Sequence, residues 1–301
     1  LILNSLTYKS KNLIGGSADL AGSNNTKTKF HKIINSNNFD GNYIHYGVRE
    51  HAMCGIMNGI ALHSKLIPYG GTFLIFSDYC KPSIRLSALM KQQVIYIMTH
   101  DSIGLGEDGP THQPIEHIAT LRAIPNLYVY RPCDINETFY SWMDAISSNH
   151  ASVIALSRQD LKVLTKIGKV FDKKLVNIGA QIVWGNLKER DATILSSGSE
   201  VEVAVSASKE LLKKGINVTV VSIPCLENFL DKSIAHRKSI LGNAPILSIE
   251  AGISLGWRSF LDDFKNVVSV ESFGSSAPKD DLYKHYKITK QEIIRKVKKI
   301  L

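Results

Sequence analysis

Cysteine is scarce in this chain. Four residues in 301, Cys54, Cys80, Cys133 and Cys225, stand far apart and form none of the close pairs that metal or redox motifs need. A disulfide framework is thereby excluded, and the sparse thiols fit a reducing, cytoplasmic compartment. Two of them sit among apolar or small neighbours and are expected to be buried. Long apolar runs are missing as well: none approaches the ~18 residues that a membrane-spanning helix requires. No charged-then-apolar leader opens the chain, which starts at Leu1 and reads as part of a longer or processed polypeptide. Charge of one sign is nowhere concentrated. Residues 1–170 carry 16 basic and 12 acidic side chains, and the remainder 20 and 15, so the net +9 forms no stripe for nucleic acid. The basic stretch from Lys290 to Lys299 reads as the solvated face of a helix.

What is present is a 44% hydrophobic chain long enough for about two domains of ~150 residues. Short apolar runs, Val94–Met98, Leu127–Tyr130, Val153–Leu156, Thr193–Leu195, Val218–Ile223 and Ile246–Ile249, read as buried strands. Helical stretches separate them, such as Glu200–Lys214 closed by Gly215 and a last helix from Thr289. The pattern predicts an α/β protein of two doubly wound domains with mainly parallel sheets. The Lys-rich stretch Gln159–Asp191 has no clear period, and the boundary is placed near Ile167, giving domains 1–166 and 167–301.

Four segments carry candidate chemistry. Thr99 to Pro114 follows a predicted strand and holds His100, His112, three carboxylates and three glycines in sixteen residues. Imidazoles and carboxylates together move protons and bind hydroxyls near neutral pH. Gly15-Gly16-Ser17-Ala18-Asp19 through Thr26 offers small, flexible, polar backbone suited to an anion, or a turn with a helix cap. Tyr46-Gly47-Val48-Arg49-Glu50-His51-Ala52-Met53 places Glu50 at the start of an apolar helix. There it is either a dipole-stabilised cap or a partly buried acid able to donate a hydrogen bond. Pro68-Tyr69-Gly70-Gly71-Thr72-Phe73 leads to Phe76 and Tyr79, aromatics at i, i+3 and i+6 that on periodicity alone read as a core stripe.

In this order the segments GGSADL, YGVREHAM, PYGGTF and THDSIGLGEDGPTHQP resemble transketolase, a thiamine-diphosphate enzyme. Arg131-Pro132, ALSRQ from Ala155, LSSGSEVEVAVSA from Leu195 and Phe273-Gly274-Ser275-Ser276-Ala277-Pro278 extend the likeness through nearly the whole chain. The resemblance implies a pyrimidine-binding domain followed by a C-terminal domain. It assigns Glu50 as the catalytic carboxylate on the cofactor's aminopyrimidine. Phe73, Phe76 and Tyr79 fall in the pocket around that ring, with Asp19 close by. Ser23, His100, Asp108, His112 and Arg158 fall among substrate-binding residues: His112 and Asp108 at the sugar hydroxyls, His100, Ser23 and Arg158 at the distal phosphate.

The implied reaction moves a two-carbon ketol unit from a ketose phosphate, such as xylulose 5-phosphate, to an aldose phosphate in the non-oxidative pentose phosphate pathway. The family's diphosphate and Mg²⁺ (or Ca²⁺) site, a Gly-Asp-Gly followed by Asn, belongs to an N-terminal domain and has no counterpart here. The expected partners are therefore that domain and a second subunit of a homodimer, with neither nucleic acid nor membrane, and this chain alone is expected to be inactive. No metal ligand is assigned within it. Deoxyxylulose-phosphate synthase and the β subunit of 2-oxoacid dehydrogenases share the cofactor, but the long loop with its two histidines favours transketolase. A naturally split transketolase, or a non-catalytic assembly subunit, are the remaining alternatives. The Gly198-Ser199-Glu200 helix start in the second domain is expected to carry packing and no site.

Overall fold

The computed structural model describes residues 1–164, 179–186 and 188–301. The boundary expected near Ile167 lies outside the described residues. The first unit is a six-stranded sheet of β1 (Leu13–Ser17), β2 (Tyr43–His45), β3 (Ile67–Phe73), β4 (Ile95–Thr99), β5 (Leu127–Tyr130) and β6 (Ala151–Leu156). Its order is β2-β1-β3-β4-β6-β5 with every pairing parallel. The second unit comprises β7 (Gln181–Trp184), β8 (Ala192–Ser196), β9 (Val218–Ser222), β10 (Ile246–Ile249) and β11 (Val267–Val268). They run in the order β11-β10-β8-β9-β7, with β7 antiparallel at the edge. Two mainly parallel sheets are thus what the alternation of apolar runs and helices predicts.

Alternation along β4 shows why such strands read as continuous apolar runs. Tyr96 and Met98 pack into one core, against Met53, Met57 and Ile84 of the helices Glu50–His63 and Ser77–Leu89. Ile95 and Ile97 pack into another on the opposite face, with Trp142 of helix Ile135–Ser147. Both faces are covered, so both parities must be apolar.

Two sequence expectations change. Gly15 and Gly16 are not flexible loop but part of β1, fully enclosed; a Cβ on Gly16 would stand 2.2 Å from the Tyr46 ring, so the residue is small because a ring packs on it. Pro68–Phe73 is strand β3, and the following Leu74–Phe76 is a single 3₁₀ turn. Phe73, Phe76 and Tyr79 therefore share no helical stripe, and Tyr79 is 66% exposed.

All four thiols are buried. Each unit also lends one to the other's interior: Cys133 packs among Ile194, Val220 and Leu247, and Cys225 among Leu13, Tyr69 and Trp142. Between the units lies a buried charge cluster. Arg131, fully inaccessible at the end of β5, donates Nε to Asp101 Oδ2 at 2.8 Å and Nη1 to Glu200 Oε2 at 2.5 Å and to the Ser197 carbonyl at 2.9 Å. Arg122 holds Glu250 through both forks, at 3.0 and 3.2 Å, and Glu250 also accepts from Ser197 Oγ and Trp257 Nε1. Burial pushes the Asp101 carboxyl up despite Arg131. In Glu250 the same penalty is outweighed by Arg122 and Arg131, which hold its carboxyl below the ordinary range. No helix among the described residues is long and apolar enough to cross a membrane.

Candidate active site

Parallel strands open their ligand sites at carboxyl ends, and the sequence-predicted residues gather there. Asp19 follows β1, Phe73 ends β3, His100 follows β4 and Arg158 follows β6, four strands that are neighbours in the sheet. The first residue of helix Glu50–His63 is Glu50, where the helix dipole favours a carboxylate. It is 8% exposed, and Thr72 Oγ1 donates to its Oε1 across a long 3.5 Å.

Beside Glu50 runs a cleft of about 760 Å³, walled by Ala18, Leu20, Val48, Phe76 and Tyr79, with Asp19 at its margin. Phe73 and Phe76 stack nearly parallel, 8° apart at 5.8 Å between centroids, and Tyr79 tilts against Phe76 at 5.9 Å. A largely apolar, aromatic slot with the carboxyls of Glu50 and Asp19 in its wall fits a flat heterocycle carrying a hydrogen-bonding edge, which is the chemistry of an aminopyrimidine.

The sugar-side candidates adjoin the same aromatics. The His100 ring lies on Phe73 with centroids 3.7 Å apart, and His112 presents its edge to Phe73 and Phe76 at 6.4 and 5.7 Å. His100 holds a left-handed backbone, φ 61°. Thr99 Oγ1 gives its proton to Asn24 Oδ1 at 2.7 Å and so accepts from His100 Nδ1 at 2.9 Å. In the neutral ring, Nε2 then carries the lone pair. Burial pushes His100 down to about 4, the Arg158 cation adds to this, Asp108 opposes it, and His112 lowers it further. These four groups are therefore within electrostatic reach of one another. Among the described residues, the side chains of Ser23, Asp108 and Arg158 are exposed and form no internal hydrogen bond or ion pair, which leaves their polar ends open to a ligand.

A direct check is the imidazole titration of His100 followed by NMR. It should stay neutral through the physiological range and protonate near pH 4. Removing the cation with Arg158→Ala should move the midpoint upward, toward but not reaching 6.5, because burial remains. An unperturbed midpoint in the wild-type chain would contradict this environment.

Sequence reasoning overlooked Asn24, Thr72 and Gln113, neutral groups whose partners Thr99, Glu50 and Ser275 are distant in the chain and leave no local signal. It also read Ser199-Glu200 as a plain helix start. In the structure Ser199 Oγ donates to Glu200 at 2.6 Å instead of capping the helix, and Glu200 turns inward to Arg131. Among the described residues one group, Asp78, Glu116 and His117, brings ligand-type atoms within 4.8 Å of one another. His117 Nε2 is already hydrogen-bonded to Asp78 Oδ2 at 3.0 Å, and both carboxylates reach solvent, so an ordinary surface contact accounts for the group.

Residues 1–163 match the transketolase pyrimidine-binding domain, and residues 179–289 match the transketolase-like C-terminal domain. That pairing defines the class: both domains are of the kind found in the thiamine-dependent transketolase family. A transketolase of Sinorhizobium medicae is 50% identical over 290 residues, covering 96% of this chain and 41% of that protein. A solved transketolase from Leishmania mexicana superposes with a TM-score of 0.92 at 42% identity, over 99% of this chain and 44% of that one. A Pichia stipitis transketolase in complex with sedoheptulose-7-phosphate gives 0.92 at 38% identity, over 99% and 45%. This chain belongs to the transketolase family. It spans about two fifths of the length of the relatives it matches.

Proposed function

We propose that this chain supplies the pyrimidine pocket and the sugar-phosphate grip of a transketolase that moves a ketol unit from a ketose phosphate to an aldose phosphate. The observation that carries the reading is the continuity of the two halves: Phe76 walls the cleft beside Glu50 and meets the edge of His112, while Phe73, stacked on Phe76, packs against His100 and His112. Bound thiamine diphosphate would supply the carbanion chemistry of the transfer. Within this chain Glu50 holds a hydrogen bond to the pyrimidine edge, with Thr72 fixing one of its oxygens. Phe76 and Tyr79 exclude water from the ring. Asp108 accepts from sugar hydroxyls. His112 binds the oxygen at the donor's carbonyl carbon; His100, expected at the distal phosphate from the resemblance, offers a neutral Nε2 that only accepts and so suits a donor hydroxyl and not a bare phosphate oxygen. Fixed positive charge for the phosphate comes from Arg158, with Ser23 beside it.

The diphosphate and its Mg²⁺ or Ca²⁺ are assigned no residues in this chain. In this reading those bind an N-terminal domain, and a homodimeric, cytoplasmic enzyme completes the site. Calorimetry tests this with the chain alone and mixed with an N-terminal transketolase fragment. Tight binding of thiamine diphosphate with Mg²⁺, and ketol transfer, are expected in the mixture alone; tight binding by the isolated chain would overturn it. In the complete enzyme Arg158→Ala is expected to raise the KM of phosphorylated donors about 10–100-fold with little loss of kcat, the effect of removing a charge-assisted bond present in ground and transition states alike. A phosphate-free donor is the control, and an unchanged KM removes Arg158 from the site.

A further inference from the structure

The loop bearing Asp108 and His112 is anchored to the second unit. Its two ends are plugged into that unit's core, where Ile103 and Ile115 lie among Val201, Leu247, Ile249 and Leu282. The Ile115 carbonyl accepts from Ile253 N at 3.0 Å. Between these plugs, Gln113 is 1% exposed and fully engaged. Its Nε2 donates to the Gly106 carbonyl within the loop at 2.8 Å and to the Ser275 carbonyl at 2.9 Å, while its Oε1 accepts from Ser275 N at 3.0 Å. Ser276 Oγ donates to the Glu107 carbonyl, one residue before Asp108. The segment 273–278 approaches so closely that a Cβ on Gly274 would stand 1.6 Å from Gln113 Oε1.

We infer that the C-terminal unit is the positioning element of the sugar-binding loop, with Gln113 as the positioning residue that locks Asp108 and His112 to the 273–278 segment. The inference rests on the reading of that loop as the sugar grip. It gives the second unit a part in the reaction although, among the described residues, none of its side chains lines the cleft beside Glu50. An amide that donates to both a loop carbonyl and a carbonyl of the other unit ties the loop's shape to the placement of that unit. A loop held at one end alone would pay ordering entropy each time substrate binds.

The test uses Gln113→Ala and Gly274→Ala in the complete enzyme, with hydrogen exchange at residues 104–113 and donor kinetics as readouts. Each variant is expected to speed exchange of the loop amides about tenfold and raise donor KM about tenfold, with phosphorylated and phosphate-free donors affected alike. The double variant should be no worse than the poorer single one, since both changes break one contact. A merely structural role would lower the melting temperature and leave the donor KM of the folded enzyme unchanged; that result, or unchanged loop exchange in both variants, overturns the inference. Should Gln113→Ala fail to fold, Gln113→Glu replaces it, keeping the acceptor for Ser275 N and losing both donor bonds. Loop exchange is read without turnover, so a wild-type assembly that transfers no ketol would overturn the functional reading and leave the exchange result standing.

Discussion

Glu50→Ala in the assembled enzyme is expected to lower kcat by about a thousandfold, the scale of removing a positioned proton-transfer group. Folding should be nearly unaffected. Glu50 makes one long internal hydrogen bond, to Thr72, and its side chain borders an open cleft where water can replace the carboxyl. Glu50→Gln separates two explanations. It keeps shape and polarity, so recovery of most activity would mean that the carboxyl merely fills space, whereas a loss as deep as that of alanine assigns the effect to its acid–base character. Turnover comparable to wild type in Glu50→Ala would remove the residue from its proposed role. Cofactor affinity, measured in parallel, is expected to fall far less than kcat.

The second large effect is on stability. Arg131→Met should destabilise the chain by about 3–5 kcal/mol, because it leaves Asp101 and Glu200 buried without their shared cation. Denaturant unfolding of wild type and variant gives the difference. Arg131→Lys retains the charge but cannot fork to Asp101, Glu200 and the Ser197 carbonyl together, so an intermediate loss is expected. A cost below about 1 kcal/mol for Arg131→Met would mean that the carboxylates find solvent or protons easily, and the cluster would then hold nothing together. Because Asp101 directly follows His100, the same variant is expected to disturb the sugar side of the site.

The sheets were legible because burial on both faces leaves unbroken apolar runs. Leu127–Tyr130 and Ile246–Ile249 are found with the predicted limits, and Thr193–Leu195 extends by one residue at each end. Helix Glu200–Leu212 ends where Gly215, at φ 77°, prevents its continuation. Other strands were not legible. Tyr43–His45 and Val267–Val268 are too brief for a period, Gln181–Trp184 lies in the Lys-rich stretch with scattered Gly, and β1 was hidden because Gly15 and Gly16 lack the side chains that mark a strand. Of the candidate site, the His100–His112 loop stood out by density of functional groups in one stretch of chain. Phe76 and Tyr79 could not be told from core by spacing, since what exposes them is the 3₁₀ turn before the helix Ser77–Leu89. Gln113 and Glu200 were invisible for another reason. Their roles are set by Ser275 and Arg131, 162 and 69 residues away, and no local pattern encodes such a pairing.

The exchange of Cys133 and Cys225 between the two cores has a thermodynamic meaning. Neither interior is closed by its own stretch of chain, so each unit serves as part of the other's solvent-excluded wall. Parting them would expose apolar surface in both at once and strand the charges that meet at Arg131. The two units are therefore expected to melt as a single cooperative body, with damage in either felt as the loss of both.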